Sequence, residues 1–242
     1  MYDELIQDTQ AAQKELHLIL LCDCSGSMSV QGKIDTLNQV MRDTIPMLQD
    51  VAQDNPQGKM LVRCIAFSDR ATWHIQTPTS VDQLHWSPLQ ADGITEMGDA
   101  FVLLADAMSK DKMPAHAYRP VVVLLSDGAP TDQGVSFDKG MEAINNSPWG
   151  ARAMRVAIAI GSDANIDVLK KFNSLSEVDV LTAKNPDELR AKIRYATVTL
   201  SQFAIRPPTQ TNNAIAPPPV PDAPVAAPAS AASDDDDDWG SW

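Results

Sequence analysis

Residues 23–28 read Asp-Cys-Ser-Gly-Ser-Met and follow directly on an apolar stretch at residues 18–22. Asp23, Ser25 and Ser27 alternate along this run, so one carboxylate and two hydroxyl groups are close in sequence. Oxygen donors of this kind suit a hard divalent cation better than a soft one. The run therefore predicts the first part of a metal site, carried by a loop at the end of a strand.

Two later segments offer further oxygen donors for such a site. Thr95 opens an apolar helical pattern, and Asp127 follows a second apolar run at residues 121–125. An alternative interpretation is local: the two serines would satisfy a turn or cap a helix, and Thr95 would cap its own helix. Five oxygen-bearing residues with only two carboxylates would leave a divalent ion partly neutralised, and this residual charge would attract a partner's Asp or Glu. We expect Mg²⁺, with Mn²⁺ or Ca²⁺ as alternatives.

The five positions together resemble the metal-ion-dependent adhesion site (MIDAS) of the von Willebrand factor A family, written Asp-x-Ser-x-Ser with a distant Thr and a distant Asp. These positions are filled here by Asp23, Ser25, Ser27, Thr95 and Asp127. The resemblance implies that the serines bind the metal directly, that the threonine joins in some states, and that the aspartates act partly through water. It also implies one open coordination position, which a partner's acidic side chain commonly fills.

The elements that would position these residues alternate between apolar runs and helical patterns, as in sheets whose strands are joined by crossover helices. Strands are predicted at residues 16–22, 60–67, 71–76, 121–126, 156–160 and 178–182. The third follows its neighbour after a short turn, which predicts an antiparallel edge strand. The predicted fold class is α/β, a doubly wound, mostly parallel, Rossmann-like six-stranded sheet with helices on both faces. Such sheets bind ligands at the carboxyl ends of their strands, where Asp23 and Asp127 are expected.

Three helical patterns fill much of the space between these strands. The first covers residues 34–51 and contains Pro46, whose missing N–H predicts a kink or a break. The second covers residues 101–108. The third is expected to begin with Asn185 as its N-cap and Pro186 in its first turn, because both residue types favour those positions.

The chain of 242 residues, 44% of them hydrophobic, has room for one domain with a sizeable core. We predict this domain at residues 16–205, after a polar N-terminal segment at residues 1–15. The remaining residues, 206–242, are rich in Pro and Ala, and residues 207–242 contain no Lys or Arg. This composition predicts a disordered linker.

The linker ends in an acidic and aromatic motif that is a candidate partner-binding peptide. Its members are Asp234, Asp235, Asp236, Asp237, Asp238, Trp239 and Trp242. A charge run is usually a solvating tail, but such a tail has no need of two tryptophans. We therefore predict a docking peptide whose carboxylates meet a basic patch and whose tryptophans fill apolar pockets. A second version places one of these aspartates at the open metal position of the same or a neighbouring molecule.

Charge and composition argue against several function classes. The net charge is -13 and no basic block occurs, which argues against contacts with the phosphates of a nucleic acid. No apolar run approaches the roughly 20 residues that a membrane span needs. The first 13 residues lack the features of a secretory signal, and the odd number of cysteines argues against a disulfide framework. We therefore expect a cytoplasmic protein that does not bind nucleic acid or membranes.

The expected function is a non-catalytic, metal-dependent protein-interaction module. Residues 17–28 and 119–132 resemble most the bacterial tellurite-resistance and stress-response type of A domain, which is associated with partner kinases and phosphatases. This resemblance implies a scaffold or regulator in a stress-response, signalling or defence system. Two alternatives stay open. The first is a Mg²⁺-dependent phosphatase-like hydrolase of the haloacid-dehalogenase type, although such enzymes have a second acid at the position of Ser25. The second is a subunit of an AAA-type ATPase or chelatase complex, since such complexes also contain A domains.

Overall fold

The computed structural model describes residues 13–56, 58–128, 130–162, 164–175 and 178–205. In this part of the chain six strands form one sheet, in the order β3-β2-β1-β4-β5-β6. The strands are β1 (Lys14–Asp23), β2 (Gly58–Phe67), β3 (Ala71–Ser80), β4 (Val121–Ser126), β5 (Met154–Ile160) and β6 (Leu181–Ala183). β3 pairs antiparallel with β2, and every other neighbouring pair is parallel. The predicted α/β class and the antiparallel edge strand are confirmed.

The sixth strand begins later than predicted, at Leu181 instead of residue 178. The Val178 N–H donates to the Leu175 carbonyl at 3.2 Å, and the Val178 carbonyl accepts from the Asn173 side chain at 2.8 Å. Because these bonds use both backbone groups of Val178, pairing with β5 starts only at Leu181. Four other strands are longer than their predicted ranges, and most of the added residues are polar or charged, so hydrophobicity does not mark them.

Helices connect the strands and cover both faces of the sheet. They are α1 (Lys33–Gln53), α2 (Met97–Ala107), α3 (Phe137–Asn146), α4 (Ile166–Phe172), α5 (Pro186–Arg194) and α6 (Leu200–Ile205). A 3₁₀ segment, Gly26–Gly32, precedes α1, and one π-helical turn, Tyr195–Thr199, joins α5 to α6. None of the described helices combines the length and the apolar character that a membrane crossing requires.

Two sequence-based expectations about these helices have different outcomes. α1 passes through Pro46 without interruption, so the predicted break is wrong. Pro46 and Arg42 are both exposed, and water can therefore bond the Arg42 carbonyl that loses its usual donor. The predicted start of α5 is confirmed, because the Asn185 side chain accepts the Glu188 N–H at 2.9 Å.

The central strand β1 separates two hydrophobic cores. Leu16, Leu18 and Leu20 face the core built with α1 and α5, whereas Ile19 and Leu21 face the core built with α2 and α3. This division follows from the alternation of side chains along a strand. Because both faces of β1 are covered, its polar carboxyl end becomes the place where the strand can meet a ligand.

Candidate metal centre

The two predicted acidic ligands lie at the carboxyl ends of neighbouring parallel strands. Asp23 is the last residue of β1, and Asp127 directly follows β4. The two strands are paired up to Cys22 and Leu125, one and two residues before these acids. The chain leaves β1 toward β2 and β3 on one side, while β4 leads to β5 and β6 on the other. Such a reversal of strand order opens a crevice that commonly binds ligands in α/β sheets.

Hydrogen bonds link four of the five predicted ligands. The Ser25 backbone N–H donates to Asp23 Oδ1 at 2.8 Å, and the Ser25 and Ser27 hydroxyl oxygens lie 3.0 Å apart. The Ser27 hydroxyl then donates to Asp127 Oδ1 at 2.7 Å. Asp23, Ser25, Ser27 and Asp127 therefore form one connected cluster of side chains, which we call the inner cluster.

The helix-capping alternative does not account for the three hydroxyl residues. Ser25 precedes the 3₁₀ segment, but its side chain makes no capping hydrogen bond there. The N-cap position of α2 is occupied by Glu96, so Thr95 lies one residue before the cap. The hydroxyl groups of Ser25 and Ser27 bond to each other and to an acid instead.

Ser126 is a member of the site that sequence reasoning missed. Its hydroxyl donates to Asp23 Oδ2 at 2.6 Å, so both oxygens of the Asp23 carboxylate accept a hydrogen bond. Ser126 and Asp23 are completely buried. The adjacency of β1 and β4 could have revealed this contact, because Ser126 comes one residue after Leu125, the partner of Cys22.

The loop that carries Thr95 is joined by hydrogen bonds to the first ligand loop and to the segment after Asp127. The Gly26 N–H donates to the Gly93 carbonyl at 2.9 Å, and Gly93 adopts a φ of 79° that favours glycine. The Thr95 N–H donates to the Thr131 hydroxyl at 2.9 Å, and the Thr131 N–H donates back to the Thr95 carbonyl at 3.0 Å. The bonds to Thr131 use the Thr95 backbone, and together with the bond at Gly93 they tie the loop of Thr95 to the segments that contain Gly26 and Thr131.

Glu96 braces the loop after Asp127. Its two carboxylate oxygens accept the backbone N–H groups of Gln133, at 2.7 Å, and Gly134, at 3.0 Å, although the side chain is only 3% exposed. An acid at the start of a helix is ordinarily a partner of the helix dipole, so the sequence alone does not indicate this contact. Asp132 accepts the Gly98 N–H at the start of α2. We call the segments around Thr95 and Thr131, together with the Glu96 brace, the outer loops.

Burial disfavours the charged form of Asp23 in the inner cluster. It raises the pKa of Asp23 from 3.8 to about 6, while the hydrogen bonds from Ser126 and Ser25 lower the pKa and only partly offset this effect. The negative charge of Asp127 raises the pKa of Asp23 further. A cation between the two carboxylates would favour the charged form of both.

One cation is already part of the site. Lys33, the first residue of α1, places its Nζ 2.9 Å from Asp127 Oδ2, and the two side chains are 3% and 0% exposed. The chain reaches this position after two consecutive residues with positive φ, Gln31 at 53° and Gly32 at 67°. The sequence carried no signal for this contact, because a lysine at a helix start is usually solvated.

The donor set of the site fits a hard divalent ion. It consists of hydroxyl and carboxylate oxygens, and Ser27 is exposed while Asp23, Ser25 and Asp127 are buried, so the cluster opens to solvent at one point. The described residues contain no group of three or more His, Cys, Asp and Glu side chains arranged to hold a metal, and the inner cluster has only two acids. The predicted docking peptide, residues 234–242, lies outside the described residues.

Comparisons with known proteins establish the fold. No protein-family model and no curated protein matches the chain. Among solved structures, it is similar to a von Willebrand factor type A protein from Catenulispora acidiphila, with 20% identity, a TM-score of 0.56, and coverage of 77% of this chain and 42% of the other. It is also similar to the PilB minor pilin from Streptococcus sanguinis, with 17% identity, a TM-score of 0.58, and coverage of 81% and 64%.

A third similar solved structure has a metal at its MIDAS motif. This is proximal thread matrix protein 1 from the mussel byssus with a zinc-occupied MIDAS motif, with 19% identity, a TM-score of 0.55, and coverage of 78% of this chain and 46% of the other. The chain therefore spans less than two thirds of the length of each of these three proteins. At these identities the similarity concerns the fold, which is that of von Willebrand factor A domains.

Proposed function

We propose, from a fold shared with von Willebrand factor A domains, that this chain is a non-catalytic protein-interaction module that binds a partner through a divalent metal ion. The observation that carries the proposal is the inner cluster, in which two hydroxyls and two carboxylates meet at the carboxyl ends of β1 and β4. The mussel protein described with a zinc-occupied MIDAS motif supports a metal on this fold.

The residues of the site would bind Mg²⁺ in different ways, and Mn²⁺ or Ca²⁺ could take its place. Ser25 and Ser27 would be direct ligands, Thr95 would join them in some states, and Asp23 and Asp127 would act partly through water, as the resemblance to the MIDAS motif implies. The ion would supply one open coordination position for a partner's carboxylate. Ser126 keeps Asp23 oriented through its 2.6 Å hydrogen bond, and the opening at Ser27 gives the partner access.

The composition of the cluster favours binding over catalysis. Phosphotransferases of the haloacid-dehalogenase type want a second acid two residues after the first, and that position is Ser25. We therefore propose that the chain is not an enzyme, and a phosphatase assay with Mg²⁺ tests this directly.

The finer role is proposed from the sequence. The similarity of residues 17–28 and 119–132 to tellurite-resistance A domains supports a scaffold or regulator of a bacterial stress-response, signalling or defence system, located in the cytoplasm. A kinase, a phosphatase or an ATPase of the same system is the proposed partner. The acidic motif at residues 234–242 is proposed as a second docking element for that partner.

The test combines metal binding with partner capture. The full chain, stripped of metal, is titrated with Mg²⁺ and then used to capture partners from an extract of its own cell in Mg²⁺ or in EDTA. We expect saturable Mg²⁺ binding and a partner retained only with Mg²⁺, and we expect both to be lost in the variant Ser25→Ala/Ser27→Ala. Ser29→Ala is the matched control, because Ser29 lies on the same loop and its hydroxyl donates to the Gly26 carbonyl rather than to a member of the inner cluster.

Three outcomes would overturn the proposal. They are no metal binding at millimolar Mg²⁺, partner capture that is indifferent to EDTA, and turnover of a phosphate ester that disappears in Asp23→Ala. Removal of the chain after Arg206 tests the tail separately, since unchanged capture would remove the docking peptide and leave the metal-dependent function standing.

A further inference from the structure

A cavity of about 650 Å³ lies at the edge of the sheet where the parallel strands begin. Its lining includes Lys14, the first residue of β1, Ala117, which precedes β4, and Arg152, which precedes β5. The parallel strands run from this edge, which we call the amino edge, toward the edge that holds the inner cluster. The metal-dependent function proposed above therefore leaves the cavity without a role.

The lining of this cavity is basic. Lys14, His116 and Arg152 contribute to it, and its one acid, Glu15, lies 3.0 Å from His17 Nε2. In the part of the chain that the structure describes, neither Lys14 nor Arg152 forms an ion pair with an acid. The cavity therefore offers two cationic groups to an anionic ligand.

Aromatic rings and a third cation lie beside these charges. Arg152 Cζ is 5.3 Å from the centre of the Trp149 ring, which lines the cavity. Lys14 Nζ is 4.3 Å from the centre of the Tyr118 ring. Arg119 Nε donates to the Arg152 carbonyl at 3.0 Å, and burial together with the positive charge of Arg152 lowers the pKa of Arg119. Cations of like charge and aromatic surface at one place favour a ligand that is both acidic and aromatic.

We propose that this cavity binds the chain's own acidic motif, residues 234–242. The five consecutive aspartates of the motif would meet Lys14, Arg119 and Arg152, and one of its two tryptophans would pack beside Trp149. The inference rests on the docking role proposed above for the motif. It adds a site on the same domain, from which a partner would have to displace the motif.

The path of the chain brings the motif within reach of the cavity. α5 begins at the carboxyl edge, directly after β6, and continues through the π-helical turn and α6 to Ile205. This helical segment is about 30 Å long, close to the length of β1, and its end contacts β1 and β4. A helix that follows a parallel strand returns along the sheet, which brings Ile205 toward the amino edge. Residues 206–233 precede the motif, and a coil of that length spans roughly 30 Å on average.

Fluorine NMR of the full chain tests the proposal, with 5-fluorotryptophan in place of all five tryptophans. Trp239→Phe and Trp242→Phe assign the two resonances of the motif. The cavity variants are Arg152→Glu and Lys14→Glu/Arg152→Glu, which change exposed side chains. Lys184→Glu is the matched control, because Lys184 is an exposed lysine at the opposite edge, directly after β6.

Two further variants identify the occupant of the cavity. One replaces the aspartates of residues 234–238 by asparagine, and the other replaces the acids of residues 1–12 by their amides. The resonance of Trp149, assigned with Trp149→Phe, reports on the cavity itself. Each spectrum is recorded in EDTA and in Mg²⁺, and at two protein concentrations.

At low salt we expect the resonances of Trp239 and Trp242 to be displaced from the position of a water-exposed indole. Arg152→Glu should lower the ratio of docked to undocked motif about tenfold, because an attraction becomes a repulsion. The double variant and the asparagine variant should return both resonances to the exposed position, whereas Lys184→Glu should leave them displaced. High salt should also release the motif, because it screens exposed charges.

Each contrary result has its own meaning. Motif resonances at the exposed position in the wild type overturn the inference, and so do displaced resonances that ignore the cavity variants. Displacement only in Mg²⁺ would place the motif at the metal, and displacement that grows with protein concentration would place it on a second copy. A Trp149 resonance that responds to the acids of residues 1–12 and not to those of the motif would assign the cavity to the first segment. All three of these results also overturn the inference.

Failure of the inference and failure of the proposed function are distinguishable. The inner cluster lies at the other edge of the sheet, so Mg²⁺ binding by the same samples tests the metal site separately. If the motif is undocked but its removal abolishes partner capture, the docking role stands and only this inference fails.

Discussion

The inner cluster and the outer loops are built in different ways, although both contribute predicted ligands. In the inner cluster, the hydrogen bonds join the predicted ligands to one another, through side chains as from Ser27 to Asp127 or through the Ser25 backbone N–H. In the outer loops, Thr95 and Glu96 are held through backbone groups, such as the Gly134 N–H that Glu96 accepts. The inner cluster is thus preorganised by the residues that would bind the ion, whereas the outer loops are positioned by residues that would not.

This difference predicts that substitutions in the two regions have different effects. Changes in the inner cluster should alter metal affinity and electrostatics directly. Changes in the outer loops should act mainly through loop position and local stability, with smaller effects on the ion. Four measurements test whether the boundary lies where the hydrogen bonds place it.

The largest effect is expected for the double variant Ser25→Ala/Ser27→Ala. Its affinity for Mg²⁺ or Mn²⁺ should fall about 1,000-fold, because two ligands are lost together and the loss of a single outer-shell group already costs about 10- to 100-fold. Isothermal titration calorimetry checks the affinity, with Ser29→Ala as the loop control. A loss below tenfold would show that these hydroxyls are not ligands and would erase the proposed difference between the two regions.

The next effect concerns the buried acid of the inner cluster and its pH dependence in EDTA. Because burial raises the pKa of Asp23 to about 6, the folded protein keeps a proton on Asp23 that the unfolded chain releases near its ordinary pKa of 3.8. The free energy of unfolding should therefore fall as the pH rises from about 4 to 6, by about 3 kcal/mol from this group. Denaturant unfolding of the wild type and of Asp23→Asn at each pH isolates this contribution.

The same experiment allows a comparison with the outer loops. Asp132 there also has a raised pKa because of burial, but its side chain is only half buried. Asp132→Asn should therefore change the pH profile less than Asp23→Asn does. Saturating Mg²⁺ should abolish the advantage of Asp23→Asn, and a wild-type profile parallel to that of Asp23→Asn would refute the assignment of this pH dependence to Asp23.

A smaller effect is expected for Glu96→Gln. The glutamine keeps one carbonyl acceptor for the loop but loses the second, which should lower the free energy of unfolding by about 1–2 kcal/mol. Metal affinity should fall less than tenfold, because Glu96 bonds to loop backbone and not to the inner cluster. A loss of affinity as large as that of the serine variant would move Glu96 into the set of ligands.

The smallest effect is expected for Thr95→Val in the absence of a partner. This substitution removes the hydroxyl and leaves the backbone bonds with Thr131 in place. We expect Mg²⁺ affinity to fall about fivefold or less, which corresponds to about 1 kcal/mol. Thr131→Val, which removes the acceptor for the Thr95 N–H, should have an effect of similar size, and a much larger loss for Thr95→Val alone would make Thr95 a permanent ligand.

The sequence predicted much of the fold and one kind of site residue. Central strands such as β4 are visible as continuous apolar runs, and Asp23, Ser25 and Ser27 are visible because their type and spacing are local. The start of β6 was missed because the bonds of Asn173 and Leu175 to Val178 depend on how the chain folds back. Local patterns do not contain that information.

The residues of the site that were missed share a physical cause. The role of Ser126 can be predicted only once β1 and β4 are known to be neighbours, because its hydroxyl donates to Asp23 on the adjacent strand. Lys33 contradicts the general preference of lysine for solvent, and its burial depends on a partner 94 residues away. Glu96 resembles an ordinary acid at the start of a helix, and only the folded loop shows that its carboxylate accepts the Gln133 and Gly134 N–H groups.

The bond from Ser126 to Asp23 closes a span of 103 residues along the chain. Contacts of such long range form late, because the entropy of closing the intervening loop must be overcome before the contact is gained. In a partly folded domain in which β4 has not yet paired with β1, only Asp23, Ser25 and Ser27 would be available to bind the metal. In refolding kinetics, the moment at which the chain begins to retain Mn²⁺ would therefore mark the docking of β4 on β1.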